Sequence, residues 1–92
     1  MVLTFEWDRV KEESNRKKHD VSFAEAATVF GDPLSISIPD PMHSESEHRF
    51  VPVGASVRGR LLVVTHAERG NNIRIIGARL AMRRERRTYE ED

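Results

Sequence analysis

Residues 59–78 read GRLLVVTHAERGNNIRIIGA, and the fold turns on how this stretch divides. Leu61-Leu62-Val63-Val64 and Ile73-Arg74-Ile75-Ile76 are short, apolar and rich in β-branched residues, while Gly70, Asn71 and Asn72 between them adopt turn conformations at little cost. The pattern predicts a hairpin at the centre of a small sheet. Its first arm is almost continuously apolar, which implies that both sheet faces are covered there. Two arginines stand out at the margins. Alternation sends Ile73 and Ile75 to one face and Arg74 with Ile76 to the other, and Arg79 follows just past the second arm.

Ninety-two residues suffice for one domain with a modest core, so a single domain over residues 1–92 is expected. Without cysteine, neither a disulfide framework nor a thiolate metal site is possible. No apolar run approaches the length of a membrane span, and the opening MVLTFEWDRV lacks signal-peptide architecture, so a cytoplasmic location is expected. The net charge of zero conceals an asymmetry. From Arg49 to Arg87, ten arginines face only Glu68 and Glu85, a local excess of +8. The planar guanidinium fork suits phosphate, although the same surface would also meet an acidic protein partner.

The flanking segments read as cover for the hairpin. Residues 2–6 form a short alternating edge strand, and Asp8 is placed to cap a helix over residues 9–18 whose only aliphatic residue is Val10. A helix so polar is held by lysine stems, or its polar face has a task; Lys11, Asn15 and His19 line one side of it, with Lys18 adjacent. Ser22 through Phe30 reads as a second helix, opened by a Ser22–Glu25 capping box and closed by Gly31-Asp32-Pro33. Leu34 to Ile38 alternates as a strand with Leu34, Ile36 and Ile38 inward, and a loop carrying His43, Glu47 and His48 leads to a strand over residues 49–53, where Pro52 argues for an edge or a bulge. Beyond Arg79 the composition is helical, with Ala81, Glu85 and Tyr89 on one line and arginines around the rest.

FEWD near the start, NRKKHDVSFAEAATVFGDP, the HSESEHR loop and GRLLVVTHAERGNNIRIIGARLAMRRERRTYEE together resemble the BrnT family of toxins from bacterial toxin-antitoxin pairs. The likeness covers nearly the whole chain, in order and at comparable spacing. It implies an α+β, RelE-like fold: a small twisted antiparallel sheet with two N-terminal helices packed on it and a C-terminal helix. It also implies a ribonuclease that arrests translation, and a cognate BrnA-type antitoxin, a ribbon-helix-helix DNA-binding protein through which alone the complex reaches operator DNA. Asp20 stands where the family has glycine, and Gly77 where it has serine.

Metal-independent RNA cleavage uses the adjacent 2'-hydroxyl as nucleophile and needs a base, an acid and cations around the phosphorane, with no cofactor. Base and acid candidates are His19, His43, His66, Glu47 and Glu68, with lysine available if its pKa is depressed. The leading assignment takes Arg69 and Arg79 as phosphate clamps, Lys18 and His19 as proton-transfer groups, and Glu68 or Glu47 as an orienting carboxylate. Lys17, Arg49, Arg74 and Arg83 are the expected RNA contacts. The competing readings are a non-catalytic RNA- or ribosome-binding module and a purely structural partner whose arginines meet an acidic antitoxin. In such a partner His19 caps a helix end, and Arg83 to Arg87 pack against that antitoxin.

Overall fold

The computed structural model describes residues 2–39 and 50–91. In chain order the elements are β1 (Thr4–Glu6), α1 (Arg9–His19), α2 (Phe23–Thr28) continued by a 3-10 turn (Val29–Gly31), β2 (Ile36–Pro39), β3 (Phe50–Ala55), β4 (Leu61–Arg69), β5 (Asn72–Leu80) and α3 (Arg83–Glu90). The five strands form one sheet in the order β1-β5-β4-β3-β2. The hairpin is central, as its apolar arms require, and the architecture is the α+β, RelE-like one expected. One edge pair departs from antiparallel: β1 runs parallel to β5, Thr4 beside Asn72 and Glu6 beside Arg74. Among the described residues no helix is long and apolar enough to cross a membrane.

Alternation along the hairpin builds two cores. Leu62, Val64, Ile73, Ile75 and Ala78 face Val21, Phe23, Ala26 and Val29 of the α2 layer. Val63 points the other way, to Val51, Val53 and Ala81, with Tyr89 of α3 packed on them. The arms run to Arg69 and start again at Asn72, longer than their apolar centres, because the polar residues at the tip keep pairing while exposed to water. Gly70, at φ 60, makes the turn. Between Thr65 and His66 the register slips, so that Ile76 is an extra residue on β5.

Two local expectations are revised and a third is refined. Ser22 Oγ does accept from the Glu25 N–H at 3.0 Å, but the Glu25 carboxylate does not complete the box. It turns inward to Arg60 instead. Leu34 lies outside β2 and is 71% exposed, because Asp32 Oδ1 takes the Leu34 N–H and Asp32 O takes that of Ser35, holding the chain in a turn until Ile36. Pro52 lies in an inner strand, since β3 runs between β4 and β2, but at a locally open edge: it pairs with Ser37 of β2, and the pairing with β4 begins only at Val53.

Glu25 is the most heavily bonded carboxylate. It accepts from Arg60 Nε (2.9 Å), Arg60 Nη2 and Ser56 Oγ (2.7 Å), with Arg58 Nη1 at 3.5 Å. The Arg60 bonds hold its carboxyl at about 2 against an ordinary 4.5. Because the folded value is the lower one, the stabilisation is complete above about pH 4.5 and disappears as pH falls towards 2. Acid unfolding of the unaltered chain should show this limb, amounting to roughly 2–3 kcal/mol, and the E25Q variant should melt at a lower temperature at pH 7 with a flatter dependence between pH 5 and about pH 2. Parallel acid limbs for the two proteins would show that Glu25 does not carry the effect.

Candidate nucleic-acid site

α1 is capped by Asp8, whose Oδ1 accepts from the N–H of Val10 at 2.7 Å, and it ends at Asp20 in the left-handed conformation, φ 58. Aspartate thus takes the helix-ending role that glycine fills more cheaply. α1 contains no buried residue, and Val10 is 73% exposed. Apolar burial therefore does not hold it. Asn15 does: its Nδ2 donates to Ala78 O and to Val21 O, both at 2.9 Å, and its Oδ1 accepts from Ala78 N at 3.2 Å. β1 pairs with β5 only as far as Arg74, leaving Ala78 without a strand on its outer side. The amide of Asn15 supplies the donor and the acceptor that a strand would have given.

This contact fixes where the basic end of α1 lies. Arg16, Lys17, Lys18 and His19 form its last turn, immediately after Asn15, and Arg60 Nη2 donates to Asp20 O at 3.0 Å. Lys17, Lys18 and His19 therefore sit at the end of the sheet where β4 starts and β5 finishes. Arg79, opposite Val63, and Arg83, the first residue of α3, belong to the same end, but the Arg79 side chain lies with Val63 on the α3 face of the sheet, opposite the face that α2 covers.

The remaining predicted residues do not join them. Arg69 is opposite Asn72 at the hairpin tip, six residues beyond Val63 and so roughly 20 Å from Arg79. Arg69 and Arg74 line a groove of about 320 Å³ with Glu6, Ala67 and Asn72, and Arg74 Nη1 is paired with Glu6 Oε2 at 2.7 Å. Glu68 is also at the tip, exposed, with its Oε1 3.9 Å from His66 Nε2. The His66 ring stacks edge-on to Phe30 at 4.9 Å, and its Nδ1 is buried without a hydrogen-bond partner. Arg69 and Arg79 are too far apart to clamp one phosphate together. His43, Glu47, His48 and Arg49 lie outside the described residues. Among the described residues no three His, Asp or Glu side chains gather as a metal ion would require.

Arg79 is held from beneath. Its Nη1 and Nη2 each donate to one Glu85 oxygen at 2.8 Å, a bidentate pair, and Glu85 Oε1 also accepts from the Met82 N–H at 2.8 Å. Arg79 keeps its carboxylate partner below the usual range, against the opposing effect of burial. The guanidinium is thereby fixed in orientation while a quarter of the side chain, 26%, remains exposed. Asn15, Arg60 and Glu85 were not marked by the sequence as parts of a site. For Glu85 a signal existed, since it shares the inward line of Ala81 and Tyr89. For Asn15 the partner is 63 residues away and local pattern carries no trace of it.

A five-stranded sheet with α2 on one face and α3 on the other, carrying basic residues at the end where α1 finishes, defines an α+β protein with a cationic surface there. The family model for the ribonuclease toxin BrnT of type II toxin-antitoxin systems matches residues 7–85, and the chain belongs to that family. Membership of a type II system implies a cognate antitoxin. Among solved structures, the crystal structure of the Brucella abortus ribonuclease toxin BrnT shares the fold, with a TM-score of 0.64 and 19% sequence identity over 89% of this chain and 100% of that one. No curated protein sequence matches the chain significantly.

The Arg79–Glu85 geometry makes a distinction that activity alone would miss. R79A should lower the melting temperature, because it strands the 8%-exposed Glu85 carboxylate, by about 2 kcal/mol in stability once the partial exposure of the pair is allowed for. A double replacement, R79A with E85A, should recover most of that loss. Equal melting temperatures for R79A and the unaltered chain would show that the pair is not structural.

Proposed function

We propose that the chain is a metal-independent endoribonuclease that arrests translation in the cytoplasm. In this reading a BrnA-type ribbon-helix-helix antitoxin neutralises it, and it reaches operator DNA only within that complex. Two things support the reading: membership of a ribonuclease toxin family, and the seating of Asn15 on Ala78, three residues before Lys18 in α1 and one residue before Arg79 in β5.

The chemistry runs as follows. An RNA phosphodiester lies across the end of β5. One of His19 and Lys18 removes the proton of the 2'-hydroxyl, whose oxygen attacks phosphorus; the other protonates the departing 5'-oxygen, giving a 2',3'-cyclic phosphate and a 5'-hydroxyl. Arg79, already oriented by Glu85, meets the charge that develops on the phosphorane without reorganising at the moment of reaction. Lys17 and Arg83 hold neighbouring phosphates. Arg69 and Arg74, roughly 20 Å away at the hairpin tip, take RNA further along rather than at the cleaved linkage. Glu68 at that tip is likewise too distant to orient the proton-transfer groups.

Purified chain free of antitoxin should cleave RNA in the presence of EDTA and leave cyclic phosphate and 5'-hydroxyl ends. K18A, at an exposed position, and H19A, at a half-buried one outside both cores, should keep the melting temperature and lose about 10²- to 10⁴-fold in kcat/KM. Intact RNA after prolonged incubation, or full-rate cleavage by both variants, would refute the assignment.

A further inference from the structure

α3 is built at an electrostatic disadvantage. Arg83, Arg84, Arg86 and Arg87 are all exposed, and no ion pair among the described residues engages any of them. With 3.6 residues per turn, the four project over an arc of about 160° on one side, while Glu85 and Tyr89 project from the opposite side. Arg83 with Arg87 is a like-charge pair at i, i+4, and Arg83 with Arg86 and Arg84 with Arg87 are pairs at i, i+3. Each costs roughly 0.2–0.5 kcal/mol in a free helix. Arg83 and Arg84 also stand in the first turn, where the helix dipole is already positive. The acid that could have offset them there, Glu85, is buried and committed to Arg79. At the other end Glu90 stands within a turn of Arg86 and Arg87, and the C-cap Glu91 within a turn of Arg87, but no ion pair among the described residues forms with either.

A surface needed only for solubility would intersperse signs and favour lysine; this one concentrates four arginines that no ion pair among the described residues engages. Its charge is complementary to a chain of phosphates. The groove beside it, between α3 and the β3–β4 connection, carries Arg86 and the Glu25-paired Arg60 over the apolar side chains of Leu61 and Leu80, with Glu90 at its rim, and Leu80 is 46% exposed. Cations above an exposed apolar floor match a single-stranded nucleotide chain, in which phosphate and unstacked base are presented side by side.

We infer that the solvent face of α3 is a tracking surface for the single-stranded RNA backbone flanking the cleaved linkage, with Arg83, Arg84, Arg86 and Arg87 each meeting phosphate. The inference rests on the ribonuclease reading for the identity of the strand. α3 then couples two tasks through one residue: Glu85 holds Arg79 from within while its neighbours in sequence hold the strand outside.

The experiment measures binding of the full chain to a 2'-O-methyl RNA 12-mer, which lacks the nucleophile and cannot be cleaved, across a range of salt concentrations. R84Q with R87Q should reduce the slope of log K against log[salt] by about 1.4, which is about 0.7 for each lost single-strand phosphate contact, and weaken binding roughly 10-fold at 0.15 M salt. The melting temperature should hold or rise, since like-charge pairs are removed. R9Q with K11Q removes the same charge from the start of α1 and should leave the slope unchanged. An unaltered slope in the α3 variant overturns the inference, as does an equal fall in the α1 control, which would indicate diffuse attraction. Loss of antitoxin capture with an unaltered RNA slope also overturns it, by assigning α3 to an acidic protein partner. A chain that binds the 12-mer with the expected slopes but leaves cleavable RNA intact would support this surface while refuting the nuclease reading.

Discussion

The amide of Asn15, set against the backbone of Ala78, is the constraint on which the rest depends. β5 is nine residues long but β1 covers only its first three, so the far half of its outer edge would face water or another molecule. An open edge of that kind invites pairing with other strands. Closing it with a side chain rather than a strand lets a helix with no buried residue occupy the position, and a polar helix can carry a cationic last turn that a buried strand could not. Asn15 Nδ2 also bonds Val21 O, so one side chain ties together α1, the entrance to α2 and the central hairpin.

Inward-facing acids give the molecule its second organising feature. Glu25 bonds Arg60 and Ser56, Glu85 bonds Arg79, and Asp32 accepts from Ala55 N and Tyr89 Oη, both at 2.7 Å. Glu25 and Asp32 join elements distant in sequence, α2 to the β3–β4 connection and the end of the 3-10 turn to both β3 and α3, while Glu85 ties α3 to the strand just before it, β5. Close approach is part of the same design, since a Cβ on Gly54 would stand 2.9 Å from Val29 Cγ1 and 3.2 Å from Asp32 Oδ2. A chain with no net charge thus presents a cationic end, because several of its carboxylates are used inside. The first contributor to the depressed Asp32 carboxyl is the Ala55 N–H, and the bond from Tyr89 raises that phenol in turn.

Much of this was legible in the sequence and some was not. The apolar centres of Leu61–Val64 and Ile73–Ile76 located the hairpin, and Ser22 and Asp8 located two helix starts, because these signals are local. The turn at Asp32 postponed β2 past Leu34 because its carboxylate accepts from the Leu34 N–H and its backbone carbonyl from that of Ser35, which periodicity cannot foresee. Glu25 looked like the second half of a capping box; it became a buried ion-pair partner because Arg60, 35 residues later, offered two bonds where Ser22 offered one. The site was legible as residue types but not as a grouping. Arg69 and Arg79 appeared close because a hairpin joins them, yet ten residues of hairpin place them at opposite ends of a strand pair. Lys18 and His19 reach the end of the sheet that holds Arg79 through Asn15, whose partner only the folded chain reveals.

The direct test of the Asn15 splice is native-state amide hydrogen exchange at Ala78. With Asn15 Oδ1 as its acceptor, that N–H should be protected to a degree comparable with the ladder amides between β4 and β5, although no strand lies on the outer side of Ala78. Exchange at the rate of a solvent-exposed amide would contradict the account, since the Asn15 amide would then neither close the outer edge of β5 nor seat α1 on it.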